Sequence, residues 1–379
     1  MKKILIFYAS YGGGHLSAAK SVQECLSTYH PEIETKLIDC MKYVNIALEK
    51  VTTAAYKEMA KKFPWAWGRV YASSQKGPLA HISSYSNRVM AVKLLKLLRA
   101  EKPDMVISTH PFGSQMCSYL KRKGKINCKI ATIMTDFAPH DQWLVGSDYV
   151  EAIFVSQDKM KEQIVAEGIP SQKIFPTGIP FSSRFLQTYD KEAIIKKYGL
   201  KMHKPILLFF GGGEFGLGKS RTLEIFRLFV ENFSEWQIIA ISGKNEKMNH
   251  SFHEIVTNAK REEEIKIFTY SNEIPEIMSI CDFVVTKPGG LTVTESLVSH
   301  LPLIIINPIP GQEEENAAFL EEHKVGIWLK KHDDLKARLI NLFSSPKEIA
   351  QMKENVEKLR KPNATKDICD ISLSLLDKK

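Results

Sequence analysis

Short runs of consecutive apolar residues recur along the chain. Between them lie stretches in which apolar residues return every three or four positions. The runs at 4–9, 35–39, 105–108, 130–134 and 153–155 form one series. A second series follows at 206–210, 237–241, 265–268, 283–286, 303–306 and 325–328. Fully apolar strands alternating with helices predict parallel sheets covered on both faces. Two such series predict two doubly wound α/β domains. The break falls in Pro176-Thr177-Gly178-Ile179-Pro180, whose prolines and glycine suit a linker. The expected division is 1–180 and 181–354, with a polar tail helix over about 355–379 packing back on the first domain.

A chain of 379 residues suits two domains. An apolar content of 44% and a charged content of 25% are those of an ordinary globular protein, so no staple is needed for a core. No apolar run approaches the about 20 residues that a spanning helix needs. The run after Lys2-Lys3 is too short for a signal peptide, and Gly12-Gly13-Gly14-His15 stands where a cleavage site would be. The six cysteines form no C-x-x-C pair, which suits free, mostly buried thiols in a reducing compartment. The expected location is therefore the cytoplasm. The net charge of +9 is all carried by residues 42–102, which hold 12 basic and 3 acidic side chains. So focused a patch calls for an anionic partner.

Four loops carry candidate chemistry. Gly12-Gly13-Gly14-His15 follows the first strand and opens a helix, so a ligand can approach the backbone there. The second loop is Gly211-Gly212-Gly213-Glu214-Phe215-Gly216-Leu217-Gly218-Lys219-Ser220. Its residues 213–220 match the G-x-x-x-x-G-K-[ST] pattern of a phosphate-binding loop, in the right strand-to-helix context. Against an ATPase, no later strand ends in a clear Mg²⁺-binding aspartate. Either way the loop suits a diphosphate. Third comes Lys287-Pro288-Gly289-Gly290-Leu291-Thr292-Val293-Thr294-Glu295, with paired glycines at a helix start. Glu295, one turn in, is placed to accept hydrogen bonds from a vicinal diol such as ribose. The fourth, Pro308 to Ala317, sets Gln312, Glu313 and Asn316 at another helix start, where they suit sugar hydroxyls. Each loop alone also reads as a helix cap. Together, at the same end of parallel sheets, they describe a sugar-nucleotide pocket.

On Gly12 to His15, on Met134-Thr135-Asp136-Phe137 with His140 and Trp143, and on the blocks 287–295 and 308–316, the chain resembles the diacylglycerol glycosyltransferases. These comprise bacterial processive glucosyltransferases and plant-type monogalactosyldiacylglycerol synthases, relatives of the N-acetylglucosaminyltransferase that forms lipid II. The resemblance implies a GT-B fold, two Rossmann-like domains facing a cleft, with the acceptor in the first and a UDP-sugar mainly in the second. It implies inversion at the anomeric carbon without a metal, and the sequence has no D-x-D. It also implies donor contacts for Glu295 (ribose), for Gly289, Gly290 and Thr292 (diphosphate), and for Gln312, Glu313 and Asn316 (sugar). Phe268 to Tyr270 would hold the uracil, and Gly13, Gly14 and His15 would face the acceptor. Positions 211–216 vary in that family, so Gly211 to Gly213 are placed in the donor site by their own loop chemistry and the P-loop match reads as a coincidence.

An inverting transfer needs a base for the acceptor hydroxyl. His15 is the first candidate and Asp136 the second; His110 and His140 follow. Glucose and galactose stay open as the donor sugar, with glucose favoured. A P-loop ATPase or nucleotide switch, and a sugar-nucleotide epimerase of the same fold, stand as alternatives. No cofactor is expected. The expected partners are UDP-sugar, diacylglycerol and an anionic membrane surface, with no nucleic acid. Lys61, Lys62, Trp65 and Trp67 combine charge with interfacial rings and suit docking on the inner face of the cell membrane, with Trp143 on the acceptor side. Residues 88–99 read either as a basic amphipathic helix on a bilayer or as a helix packed on its own sheet.

Overall fold

The computed structural model describes residues 2–10, 13–44, 78–212, 218–243 and 245–377. The segment 56–71 lies outside them, with Lys61, Lys62, Trp65 and Trp67. So do Gly12 and Gly213. The chain divides into two units, Met1–Ser183 with Lys361–Lys379, and Arg184–Arg360.

The first unit holds a six-stranded parallel sheet in the order β2-β1-β3-β4-β5-β6. Its strands are β1 (Lys3–Tyr8), β2 (Glu34–Asp39), β3 (Met105–Ser108), β4 (Lys129–Ile133), β5 (Ala152–Phe154) and β6 (Ile174–Phe175). β6 was not expected; two residues on a sheet edge are too few to leave a pattern. Helices α1 (Gly13–Tyr29), α2 (Cys40–Val44), α3 (Pro78–Glu101), α4 (Pro111–Arg122) and α5 (Asp158–Ala166) connect them. The core lies on both sheet faces. Met90, Leu94, Leu97 and Leu98 of α3 join Leu5, Val106 and Ile130 on one side. The apolar face of 88–99 is thus spent inside its own unit, and the bilayer reading of that helix falls away. On the other side Val22 and Leu26 of α1 pack with Ile368 and Cys369 of the last helix.

The second unit repeats the plan with the order β12-β11-β10-β7-β8-β9. Its strands are β7 (Ile206–Phe210), β8 (Gln237–Ile241), β9 (Ile265–Phe268), β10 (Phe283–Thr286), β11 (Leu303–Ile305) and β12 (Gly326–Trp328). The helices are α6 (Lys191–Lys197), α7 (Lys219–Asn232), α8 (Glu246–Asn258), α9 (Ile274–Ile280), α10 (Gly290–Val298), α11 (Gln312–Glu322), α12 (Leu335–Phe343) and α13 (Pro346–Leu359). Pro362 cannot continue a helix, so the tail breaks after α13 and resumes as α14 (Ala364–Asp377). α14 belongs to the first unit. There Thr365 Oγ1 donates to Phe181 O at 2.8 Å and accepts from Phe181 N at 3.0 Å. Gly178 (φ +98°) lets this segment pass, since a Cβ there would lie 2.7 Å from Lys361 Cβ.

In each sheet the order reverses beside the unit's first strand. β1 lies between β2 and β3, and β7 lies between β8 and β10. At such a point the connections leave in opposite directions, and a crevice opens beyond the carboxyl ends of the strands. The candidate residues gather at these two points.

Candidate functional site

In the first unit, α1 begins just past the end of β1. Gly13 is exposed, with nothing within 4 Å of where a Cβ would be, and Gly14 is partly buried. His15 turns its ring toward the loop after β3. Its Nδ1 lies 2.6 Å from Thr109 O and 3.2 Å from Thr135 Oγ1. A carbonyl only accepts, so Nδ1 carries the proton and Nε2 is left with its lone pair. Thr109 Oγ1 donates back to His15 O at 2.8 Å and fixes the turn. Burial lowers the pKa of His15 to about 4, against the carbonyl contact, which raises it. The imidazole is therefore neutral at physiological pH.

Two aromatic side chains frame it. The His110 ring stands edge-on to His15 at 4.7 Å between centroids, and the Trp143 ring lies 6.4 Å away. His110 is the N-cap of α4: its Nδ1 accepts from Phe112 N at 3.3 Å. Burial, then the nearby His15, push His110 well below its ordinary pKa. His140 caps the turn Asp141–Trp143 by accepting from Gln142 N at 3.1 Å. Both are thus engaged as caps. Asp136 is buried, one residue after Thr135. Trp143 is also buried, so it packs beside the histidines and not on an outer face.

In the second unit, the ends of β7 and β10 meet. Gly211 is required there, because a Cβ would lie 2.9 Å from the Phe252 ring and 3.3 Å from Ile241 O. Gly212 takes φ +109°, and a Cβ on it would lie 4.0 Å from Lys287 Cε. Gly289 and Gly290 open α10. A Cβ on Gly289 would lie 3.7 Å from Glu313 Oε1, while Glu313 Oε2 accepts from Ile309 N at 2.7 Å. Lys287, Gly212, Gly289 and Glu313 therefore share one small volume. Burial raises the Glu313 pKa, although Lys287 and the Ile309 N–H pull it down; burial also lowers that of Lys287.

Glu295 makes no side-chain hydrogen bond among the described residues, and burial alone pushes its pKa up to about 7. The hydroxyl of Thr292, partly buried, is likewise without a partner among them. Unsatisfied polar groups in a crevice cost stability and are expected where a ligand completes them. Asn316 behaves differently. It is fully buried and donates to Pro288 O at 2.9 Å, so it holds the glycine turn from behind. Gln312 begins α11, whose start is closed by Glu314 accepting from Gly311 N at 3.0 Å. Phe268 O already accepts from Ser242 N at 2.8 Å, its ring packs edge-on against Tyr198, and Tyr270 is exposed.

Nothing in the sequence singles out Lys287, because its surroundings come from Gly212 and Glu313, distant along the chain. The P-loop match gains nothing from the sheet. Both neighbours of β7 end without an acid: β8 runs into Ser242 and β10 into Lys287.

Comparison with known proteins divides at the same place as the fold. Residues 15–181 match the family model of monogalactosyldiacylglycerol synthase, and residues 190–359 match glycosyl transferases group 1. A processive diacylglycerol β-glucosyltransferase of Bacillus cytotoxicus is 28% identical over 98% of this chain and 93% of its own length. Among solved structures, Acinetobacter baumannii MurG superposes with a TM-score of 0.66 at 12% identity, over 99% of this chain and 100% of that one. A UDP-GlcNAc 2-epimerase from Neisseria meningitidis bound to UDP-GlcNAc gives 0.62 at 14% identity, over 99% and 100%. These likenesses establish a GT-B-like fold.

Glu295 offers a test of the site by itself. Its pKa is raised from the ordinary 4.5 to about 7, so between those values the folded chain holds a proton that the unfolded chain has released. Stability then falls as pH rises through that window, and the loss persists above it. Glu295→Gln removes the loss. Its melting temperature at pH 8 should exceed that of the wild type by about 2–4 °C, with no gain at pH 4; a lower value at pH 8 would contradict the assignment.

Proposed function

Because the chain belongs to the diacylglycerol glycosyltransferase family, we propose that it transfers a hexose, glucose by preference, from a UDP-sugar to the hydroxyl of 1,2-diacylglycerol with inversion. The product is a membrane glycolipid. The relative named as a processive diacylglycerol β-glucosyltransferase, matched along nearly the whole chain, supports the substrates. The observation that carries the chemistry is the bare Nε2 of a neutral His15 at the reversal point of the first sheet.

Transfer is one displacement. The acceptor oxygen attacks the anomeric carbon, its proton passes to His15 Nε2, and the electron pair of the breaking bond leaves with UDP. Thr109 O and Thr135 Oγ1 keep the imidazole in the tautomer that can accept. Asp136 remains the second candidate for the base. On the donor side, the amides at the start of α10 face the diphosphate and Glu295 takes the ribose diol. Glu313 and Gln312 take sugar hydroxyls, and Asn316 keeps the turn in place. Amides aimed where charge develops do the work otherwise assigned to a metal, so no cofactor is needed.

The acceptor dissolves only in lipid. No helix among the described residues is long and apolar enough to cross a membrane. We therefore place the protein on the inner face of the cell membrane, attached through its basic segment, where Lys61, Lys62, Trp65 and Trp67 supply charge and interfacial rings. Trp65→Ala/Trp67→Ala and Lys61→Glu/Lys62→Glu should each sediment less with anionic liposomes while still binding UDP. Equal sedimentation by wild type and both variants would contradict the attachment.

The activity is tested with diacylglycerol in mixed micelles and labelled UDP-glucose or UDP-galactose, with and without EDTA. Labelled glycolipid from UDP-glucose, undiminished by EDTA, is expected. At saturating donor, kcat should fall on acidification near pH 4, where His15 takes up its proton, and His15→Ala should lose about 10²–10⁴-fold in kcat. Product from UDP-galactose alone would change the donor. Epimerised UDP-sugar or ATP hydrolysis without a lipid product would overturn the reading.

A further inference from the structure

We propose that Lys287 is the cation that stabilises the departing diphosphate, the charge that a divalent metal supplies in metal-dependent transferases. This rests on the donor reading above and deepens it.

The argument begins with what Lys287 lacks. It follows the last residue of β10, beside the central strand β7, and is partly buried. Among the described residues its ammonium has neither a hydrogen bond nor an ion pair within 4 Å. The acid that attracts it is Glu313, from a distance. A desolvated ammonium without a partner is costly to fold around. Glu313 relieves only part of that cost, because it attracts the ammonium without a direct contact: one of its oxygens is held by Ile309 N and the other lies over Gly289.

The surroundings then say what the ammonium awaits. Its Cε lies 4.0 Å from the Cβ position of Gly212, where the chain turns with φ +109°. The paired glycines that open α10 are two and three residues further on. Three elements suited to an anion thus converge where the sheet order reverses: a glycine turn after β7, a helix start after β10 and, between them, an ammonium unpaired among the described residues. The unpartnered Glu295 carboxyl on α10 marks the neighbouring place for a neutral polyol. An anion flanked by a polyol is the layout of a nucleoside diphosphate.

In the step itself, the bond from the anomeric carbon to the acceptor oxygen forms as the bond to the β-phosphate oxygen breaks. The electron pair goes to that oxygen, and the acceptor proton goes to the base in the first unit. Lys287 keeps its protons throughout and acts by charge and hydrogen bonding. It gains more from the product diphosphate, which carries more charge, than from the UDP-sugar.

The test compares UDP with uridine, measured by calorimetry in EDTA on wild type, Lys287→Met and Lys287→Arg. Loss of one charged contact predicts that Lys287→Met binds UDP about 20-fold more weakly while uridine affinity stays within about twofold. Lys287→Arg should keep most of the UDP affinity, and kcat should fall with Lys287→Met far more than KM rises. An unchanged UDP-to-uridine ratio in folded Lys287→Met would overturn the proposal and leave the donor reading standing. A wild type that binds neither ligand would overturn both. If Lys287→Met does not fold, limited acylation of the wild type followed by mass spectrometry decides: UDP should protect Lys287 and uridine should not. Equal modification with both would refute the role.

Discussion

In a parallel sheet, every strand leads into a connection at the same edge. Where the strand order reverses, neighbouring connections part to opposite faces and leave their first backbone amides without neighbours. That constraint organises both units. In the first, α1 and the loop after β3 part beside β1, and His15 meets Thr109 across the gap. In the second, the loops after β7 and β10 part, and Gly212 meets Lys287. Fully apolar strands supply the rigidity. Leu5, Phe7, Val106, Leu207, Phe209 and Val285 are all completely buried, so the groups at the strand ends cannot drift.

Burial then sets the charge state of each group. His15, enclosed beside His110 and Trp143, loses the solvation an imidazolium needs and stays neutral. Glu295, enclosed without a hydrogen-bond donor among the described residues, resists ionisation, and Lys287 releases its proton more readily than an exposed lysine. A neutral base on one sheet and strained charges on the other are costly to a protein that only needs to fold. They suit one that binds an anion and moves a proton.

Much of this was legible in the sequence, for physical reasons. Runs such as Ile206 to Phe210 have no polar face, so they read as central parallel strands, and the glycine loops at their ends read as ligand loops. Glu295 was visible as a carboxylate one turn into a helix. What stayed hidden depends on partners far along the chain. Lys287 looked like the end of a strand until Gly212 and Glu313 were beside it. Asn316 reads as a sugar ligand, and the fold adds a second task that only a partner 28 residues away reveals: its amide donates to Pro288 O. Trp143 is expected on the acceptor side, and its ring is buried beside His15 and His110. The helix of 88–99 gave two readings because amphipathicity says that a face is covered without saying by what; the sheet covers it.

The central claim is that the crevice beyond the carboxyl ends of the paired strands β7 and β10 receives the diphosphate. A crystal structure of the protein with UDP tests it most directly. The account predicts the diphosphate over the amides of Gly289 and Gly290, with the ribose on Glu295. A diphosphate seated instead at the start of α7, on Gly218 to Ser220, would contradict it and restore the P-loop.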